Sequence, residues 1–306
     1  MSLFYTFVVP TYRRPEVLAR CLEQLARLDY ERDDIEILIL DNGAPYDSRA
    51  VVDSFAQRLP LSYTLNEPGH GMGYSLSKGV KAARAQRIVE MNDDALVPPN
   101  FLKALDEVFA VDPRIGVVGV RAIEDQYAQG GDEIGRINAA TGEVVGNFNR
   151  PTEALLDVEH VYGFCYAYSR ELIARGGRHD EVLLARDYSS GNRLETDHCL
   201  TARSLGFRVV YDGRIAVRHL AKPRGDINER SLKWKLNHTR NTLYLYLKHF
   251  GPFGRRCLAL RFALLMDLGL RSLLRHPTRS NLAYFLTGLR ARGSASWHYA
   301  RYLLGC

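Results

Sequence analysis

Apolar residues in the first 120 positions fall into short runs separated by stretches with helical spacing. The near-continuous run Leu3 to Val9, closed by Pro10, predicts a buried strand. From Pro15 to Leu28, apolar Val17, Leu18, Cys21, Leu22, Leu25 and Leu28 recur at helical spacing, with Pro15 suited to a first turn. Ile35–Leu40, Leu61–Leu65, Arg87–Met91 and Ile115–Val120 read as further strands. Ala50–Arg58, a segment from the glycine loop (Gly69, Gly71, Gly73) through Ala83, and Phe101–Phe109 read as helices. Strands and helices alternating in units of roughly 30 residues predict a parallel sheet with helices on both faces.

Beyond residue 120 the rhythm changes. Turn signals at Gly130-Gly131, Gly135 and Thr141-Gly142 predict a small hairpin within 121–157. Glu159–Ser169 alternates and is aromatic, as an extended strand would be. Glu195–Leu205 reads as a helix ended by Gly206, with short strands at Arg208–Tyr211 and Ile215–Val217. From Ser231 the pattern is helical to the end, broken at Gly251-Pro252 and His276-Pro277.

With 306 residues, 46% of them hydrophobic, the chain can bury the core of one large domain or two and is not a disordered one. Five cysteines, an odd number with no C-x-x-C pair, speak for reduced thiols in a cytosolic compartment. The opening MSLFYTFVVPTY has no basic leader region and is not expected to be a signal peptide. Charge is unevenly placed. From His219 to Cys306 there are 16 Lys and Arg against 3 Asp and Glu, and the rest of the chain is net acidic. A basic tail of this kind suits an anionic surface, although a solvated helical face would look similar.

In open parallel sheets ligands bind beyond the carboxyl ends of the strands. Asp41 follows the second strand there, and Asn92, Asp93 and Asp94 follow the fourth. Acids gathered at one edge without an adjacent cation repel one another unless a hard divalent ion, Mg2+ or Mn2+, sits among them. Capping and turn roles are the plainer alternatives for the same residues.

Val8-Val9-Pro10-Thr11-Tyr12-Arg13-Arg14-Pro15, Asp41-Asn42-Gly43, Met91-Asn92-Asp93-Asp94, Glu195-Thr196-Asp197 and Val217-Arg218-His219 occur in this order. Together, over roughly residues 4–250, they resemble the family 2 glycosyltransferases, inverting enzymes of the GT-A fold. The rhamnosyltransferase- and galactofuranosyltransferase-like branch looks nearest. The resemblance implies an α/β fold with a Rossmann-like, mixed but mainly parallel sheet, helices on both faces and a C-terminal helical extension. It implies a catalytic domain over 1–230, with a nucleotide-sugar half at 1–120 and an acceptor half at 121–230. Residues 231–306 would then form a basic amphipathic helical region.

Carried onto this chain, the resemblance makes Pro10, Thr11, Tyr12, Arg14, Asp41, Gly73, Asn92 and Asp93 donor-binding. Asp41 would read the base edge, Asp94 and His219 would hold the metal, and Glu195 would be the catalytic base with Asp197 the second acid. Two departures stand out: Arg13 occupies a position where the family usually has Asn, and Glu195 replaces the usual catalytic Asp. The implied partners are a UDP- or dTDP-sugar and a glycan or polyprenyl-linked acceptor, at the cytoplasmic face of the membrane. Trp234 and the aromatics from Tyr162 to Tyr168 are candidates for the acceptor side, with core packing the alternative.

A sugar nucleotidyltransferase and a non-enzymatic binder of anionic lipid or nucleic acid are the rival classes. The first usually has a glycine-rich loop where Pro10-Thr11-Tyr12 stands. The second leaves the acidic cluster unexplained, and with no RNA-binding motif a nucleic-acid partner is not expected. In the tail, Arg256, Arg261, Asp267, Arg271 and Arg275 would fall within one sector if 256–275 were a single helix. That predicts an interfacial helix on an anionic membrane, a homodimer contact being the alternative. No uninterrupted apolar run approaches the ~20 residues of a spanning helix.

Overall fold

A computed structural model describes residues 3–124, 132–184, 193–220, 231–265 and 268–305. The first half alternates as expected: β1 (Tyr5–Thr11), α1 (Pro15–Leu25), β2 (Ile35–Asp41), α2 (Arg49–Phe55), β3 (Leu61–Leu65), α3 (Met72–Ala82) and β4 (Arg87–Met91). Then come β5 (Ala95–Leu96), α4 (Phe101–Val111) and β6 (Ile115–Ile123). The hairpin β7 (Arg136–Ile137) and β8 (Val144–Val145) turns at Thr141-Gly142, while Gly130-Gly131 lies outside the described residues. β9 (Leu156–Asp157), β10 (Cys165–Ser169), α5 (Arg170–Ala174), α6 (Leu194–Ser204) and β11 (Arg208–His219) complete the sheet region. The tail holds α7 (Leu232–Phe250), α8 (Gly254–Leu265), α9 (Leu270–Arg275) and α10 (Arg279–Leu303).

The main sheet runs β3-β2-β1-β4-β10-β6-β11-β5, with β9 also on β11. β1 to β4 are parallel, β10 runs antiparallel between β4 and β6, and β11 is parallel to β6. Pro10 does not end β1. It pairs in register with Leu40 of β2, beyond Val8, the last residue β1 pairs with β4, so its missing N–H interrupts no ladder there. The two short strands expected at 208–217 are one strand, β11, whose register shifts between Asp212 and Ala216.

Alternation along β1 sends Tyr5, Phe7 and Val9 into one buried core and Val8 into another. Sheets covered on both faces carry such continuous apolar strands. Leu243, Tyr246, Phe262 and Ala295 of the C-terminal helices belong to the same core as Val8. Gly79 of α3 sits where a Cβ would lie 2.3 Å from Val8 Cγ1, so α3 rests directly on β1. Gly79→Ala should therefore lower stability by about 1–3 kcal/mol in denaturant unfolding, as overpacking does.

The expected single helix over 256–275 is not formed. Arg255, Arg256 and Cys257 take left-handed backbone angles, and Gly269, at φ 76, separates α8 from α9. Arg261 is turned to the β7–β8 hairpin and donates to the carbonyls of Ala139 and Ala140, and Asp267 lies outside the described residues. A shared charged stripe on this segment is thus lost, because the helical projection presumes one continuous axis. Among the described residues no helix is long and apolar enough to cross a membrane.

Candidate active site

The carboxyl ends of β1 and β4 bring Thr11, Arg14, Asp93 and Asp94 together. Thr11 Oγ1 donates to Asp93 Oδ2 at 2.7 Å. Arg14 bridges both acids, binding Asp93 closely and donating to Asp94 Oδ2 at 2.9 Å. The acids are therefore not without a cation, as the sequence suggested. Arg14 comes from the loop after β1, and the parallel β1–β4 pairing brings it to the acids.

β5 pairs antiparallel with the end of β11, His219 opposite Ala95, which sets His219 beside Asp94. His219 Nε2 lies 3.3 Å from Asp94 Oδ1, and its Nδ1 is held closely by Glu124. Burial alone would lower the His219 pKa, but Asp94 and Glu124 outweigh it and raise it to about 9. Burial likewise works against the Asp94 charge, and His219 and Arg14 overcome it to lower its pKa to about 2.

Asp94 Oδ1 is buried and receives no well-aligned hydrogen bond. A buried carboxylate oxygen with spare capacity, facing an imidazole nitrogen whose ring is fixed by a second carboxylate, suits a divalent cation. No cluster of three or more His, Cys, Asp or Glu able to hold a metal exists among the described residues. Two protein ligands with the remaining positions left to phosphate oxygens and water is a common arrangement for Mg2+-type ions.

Glu195 enters from the first turn of α6. The turn Tyr162–Phe164 touches both parts of the site. Its rings flank His219, with centroids 5.7 and 4.8 Å away, and a Cβ at Gly163 would meet the Glu195 carboxyl carbon at 3.2 Å. Glu195 forms no ion pair with a described residue. Burial raises its carboxyl pKa, with Glu90 adding to the rise and Arg193 and His179 opposing it.

Asp197 is elsewhere. It is fully buried, paired with Lys248 at 2.8 Å and with His249 Nε2 at 2.7 Å, and so fastens α6 to α7. Asp41 is fully buried too. Its Oδ1 accepts from Gly43 N at 2.7 Å, and its Oδ2 from Ser48 N at 2.7 Å and Tyr63 Oη at 2.9 Å. These bonds hold the loop after β2, and any base-edge contact would have to share an oxygen with them. Beside it, Asn42 Oδ1 accepts from Asn66 Nδ2 and Ser75 Oγ, both at 2.9 Å. Gly73 packs under Leu184, whose Cδ2 would lie 3.0 Å from a Cβ there.

Pro10 and the half-buried Tyr12 lead into this edge, and Asn92 N donates to Phe164 O at 2.8 Å. Arg13 has φ 51, a left-handed angle that Asn adopts more readily than Arg. Its guanidinium lies over the rings of Tyr12 and Tyr46, 5.1 and 5.2 Å from their centroids.

Tyr166 and Tyr168 are not available to an acceptor. Both are buried and donate to Glu90, at 2.8 and 2.6 Å, while His179 lies 3.1 Å from the same carboxylate. Burial opposes both charges, and mutual attraction overcomes it, lowering the Glu90 pKa and raising that of His179. Trp234 stacks on His238, 4.5 Å between centroids. Sequence reasoning missed Glu124. The signal that marked Asp41 and Asp93, an acid just past a strand, applies to Glu124 once the strand from Ile115 runs to Ile123.

An α/β sheet of this order, with paired acids, an arginine and a histidine on its carboxyl edge, defines a GT-A glycosyltransferase architecture. The chain belongs to glycosyl transferase family 2, whose profile matches residues 6–177. It is 23% identical over 216 residues to a glucosyl-dolichyl phosphate glucuronosyltransferase of Haloferax volcanii, covering 69% of this chain and 67% of that one. It is 29% identical over 99 residues to a validoxylamine A glucosyltransferase of Streptomyces hygroscopicus subsp. jinggangensis, 32% of this chain and 24% of the relative, so it spans only about a quarter of that protein. In fold it is similar to a mannosyltransferase from Pyrobaculum calidifontis in complex with GDP-Man and Mn2+, with TM-score 0.59 and 18% identity, over 100% of this chain and 79% of that one. S. aureus TarS 1-349 in complex with UDP is similar at TM-score 0.56 and 14% identity, over 97% and 92% of the two chains.

Proposed function

We propose that this protein is an inverting glycosyltransferase that moves a sugar from a UDP- or dTDP-sugar to a hydroxyl of a glycan or lipid-linked glycan. The observation that carries the reading is the buried Asp94–His219 pair beside Arg14, with Glu195 across a three-residue turn. The rhamnosyltransferase- and galactofuranosyltransferase-like branch is part of the same proposal, on the resemblance of the motifs.

Asp94 and His219 would hold Mn2+ or Mg2+, which when bound neutralises charge on the leaving diphosphate. Arg14 provides a second positive group for that diphosphate. Pro10, Thr11, Tyr12, Asn92 and Asp93 form the edge on which the nucleoside end rests, with the loop held by Asp41 and the start of α3 at Gly73 beside it. Glu195 takes the proton from the attacking hydroxyl. A carboxylate whose pKa is raised by burial is a better base than an exposed one. The acceptor hydroxyl enters opposite the diphosphate, so the anomeric configuration inverts. Asp197, tied to Lys248 and His249, serves as a positioning residue for α6.

The Haloferax volcanii relative, by its name, acts on glucosyl-dolichyl phosphate, which supports a lipid-linked acceptor. A thermal-shift series with UDP, dTDP, GDP and ADP, with and without Mn2+, tests the donor. UDP or dTDP at 100 times its dissociation constant should add about 2.7 kcal/mol of stability. Stabilisation by none of the four would overturn the reading.

A further inference from the structure

α10 has two unlike faces. Gly288, Ala291, Arg292 and Ala295 are buried, the helix packing on α7 and α9. Leu282, Leu286, Leu289 and Trp297 point the other way and are 45%, 52%, 45% and 56% exposed. At 100° per residue these four, with Gly293 and Ala300, fall in a strip about 80° wide. Arg279, Arg290 and Arg301 follow one another along its flank, within about 40°. Leu274 of α9, between the exposed Arg271 and Arg275, is 74% exposed. Among the described residues nothing covers the strip.

Charge decides what can cover it. From Leu270 to Leu303 there are six arginines and no Asp or Glu. A second copy of the strip would bring arginines against arginines with no acid to pair them, and such like-charge contacts are costly. A surface of anionic lipid offers the complementary charge at the flank and an apolar layer beneath it. Trp297, with the Arg301 guanidinium 5.0 Å from its ring centroid, is the type of side chain that settles at headgroup level.

We propose that the outward strip of α10 docks on an anionic lipid bilayer, lying in the headgroup region without crossing it. The purpose of the contact, reaching a lipid-linked acceptor, rests on the proposed function; the contact itself does not. Because Leu243 to Tyr246 of α7 are core residues, removing the tail would disturb the whole fold, and point variants of the full chain are the proper probe.

Flotation with phosphatidylglycerol-containing and pure phosphatidylcholine vesicles tests it. The full chain should float with the first at low salt and less at high salt. Arg290→Gln and Arg301→Gln should each lower the partition coefficient about fivefold. Leu286→Gln with Trp297→Gln should lower it about tenfold or more, all with UDP and dTDP thermal shifts unchanged. A protein that shows nucleotide shifts but floats with neither vesicle overturns the docking. So does a dimer in light scattering that Leu286→Gln with Trp297→Gln dissociates. A protein that floats but responds to no nucleotide diphosphate overturns the transferase reading and leaves the docking standing.

Discussion

Glu195→Gln is expected to bind nucleotide as the wild type does and to lose sugar transfer by about 10²–10⁴-fold, the usual contribution of a general base. The amide has nearly the same shape, so the contact with the Tyr162–Phe164 turn is kept and only the proton acceptor is removed. Donor binding is read by calorimetry and transfer by release of free nucleotide diphosphate in the presence of acceptor. If Glu195→Gln retains transfer while Asp197→Asn abolishes it without loss of stability, the base has been placed two residues too early.

Asp197→Ala should unfold more easily than the wild type, by about 1–3 kcal/mol, because His249 loses its buried partner and Lys248 keeps only Asp180, 2.8 Å away. Burial opposes the Asp197 charge, but the His249 hydrogen bond and the Lys248 charge outweigh it and hold its pKa below the ordinary aspartate value. A depressed folded pKa gives stability that is complete above the unfolded pKa and is lost as pH falls through the folded one. Acid unfolding should therefore be less steep in Asp197→Asn than in the wild type. Denaturant titrations at neutral and acid pH check both points.

The parallel front of the sheet is legible in the sequence because β1, β2 and β4 are largely apolar and buried along most of their length, while the half-exposed edge strand β3 is bounded by Pro60 and Asn66. Leu61–Leu65 and Arg87–Met91 match the sequence reading at both ends. The alternating stretch from Glu159 is different. Only Cys165–Ser169 pairs in the sheet, since Glu159 N donates to Gly135 O and its carboxylate holds Arg255, contacts supplied by distant parts of the chain. β5 and β9, two residues each, are too short to show any period.

At the candidate site, spacing brought forward the acids, and it was the resemblance, not local pattern, that set Glu195 ahead of Asp197 as the base. Residues two apart on a helix point about 200° from one another, so only one can face the site. The partners that claim Asp197 lie about fifty residues later on α7. Arg14 and Glu124 reach Asp94 and His219 from other strand ends, contacts fixed by register and not by local pattern.

Calorimetric titration of UDP and of dTDP into the full-length protein, with Mn2+ and with EDTA, in the wild type and in Asp94→Ala, tests the central claim most directly. Binding of at least one of the two should be strong with Mn2+, weaken sharply with EDTA, and be equally weak in Asp94→Ala under both conditions. Nucleotide affinity unchanged by EDTA and by Asp94→Ala would contradict the assignment of Asp94 and His219 to the metal and of this sheet edge to the donor.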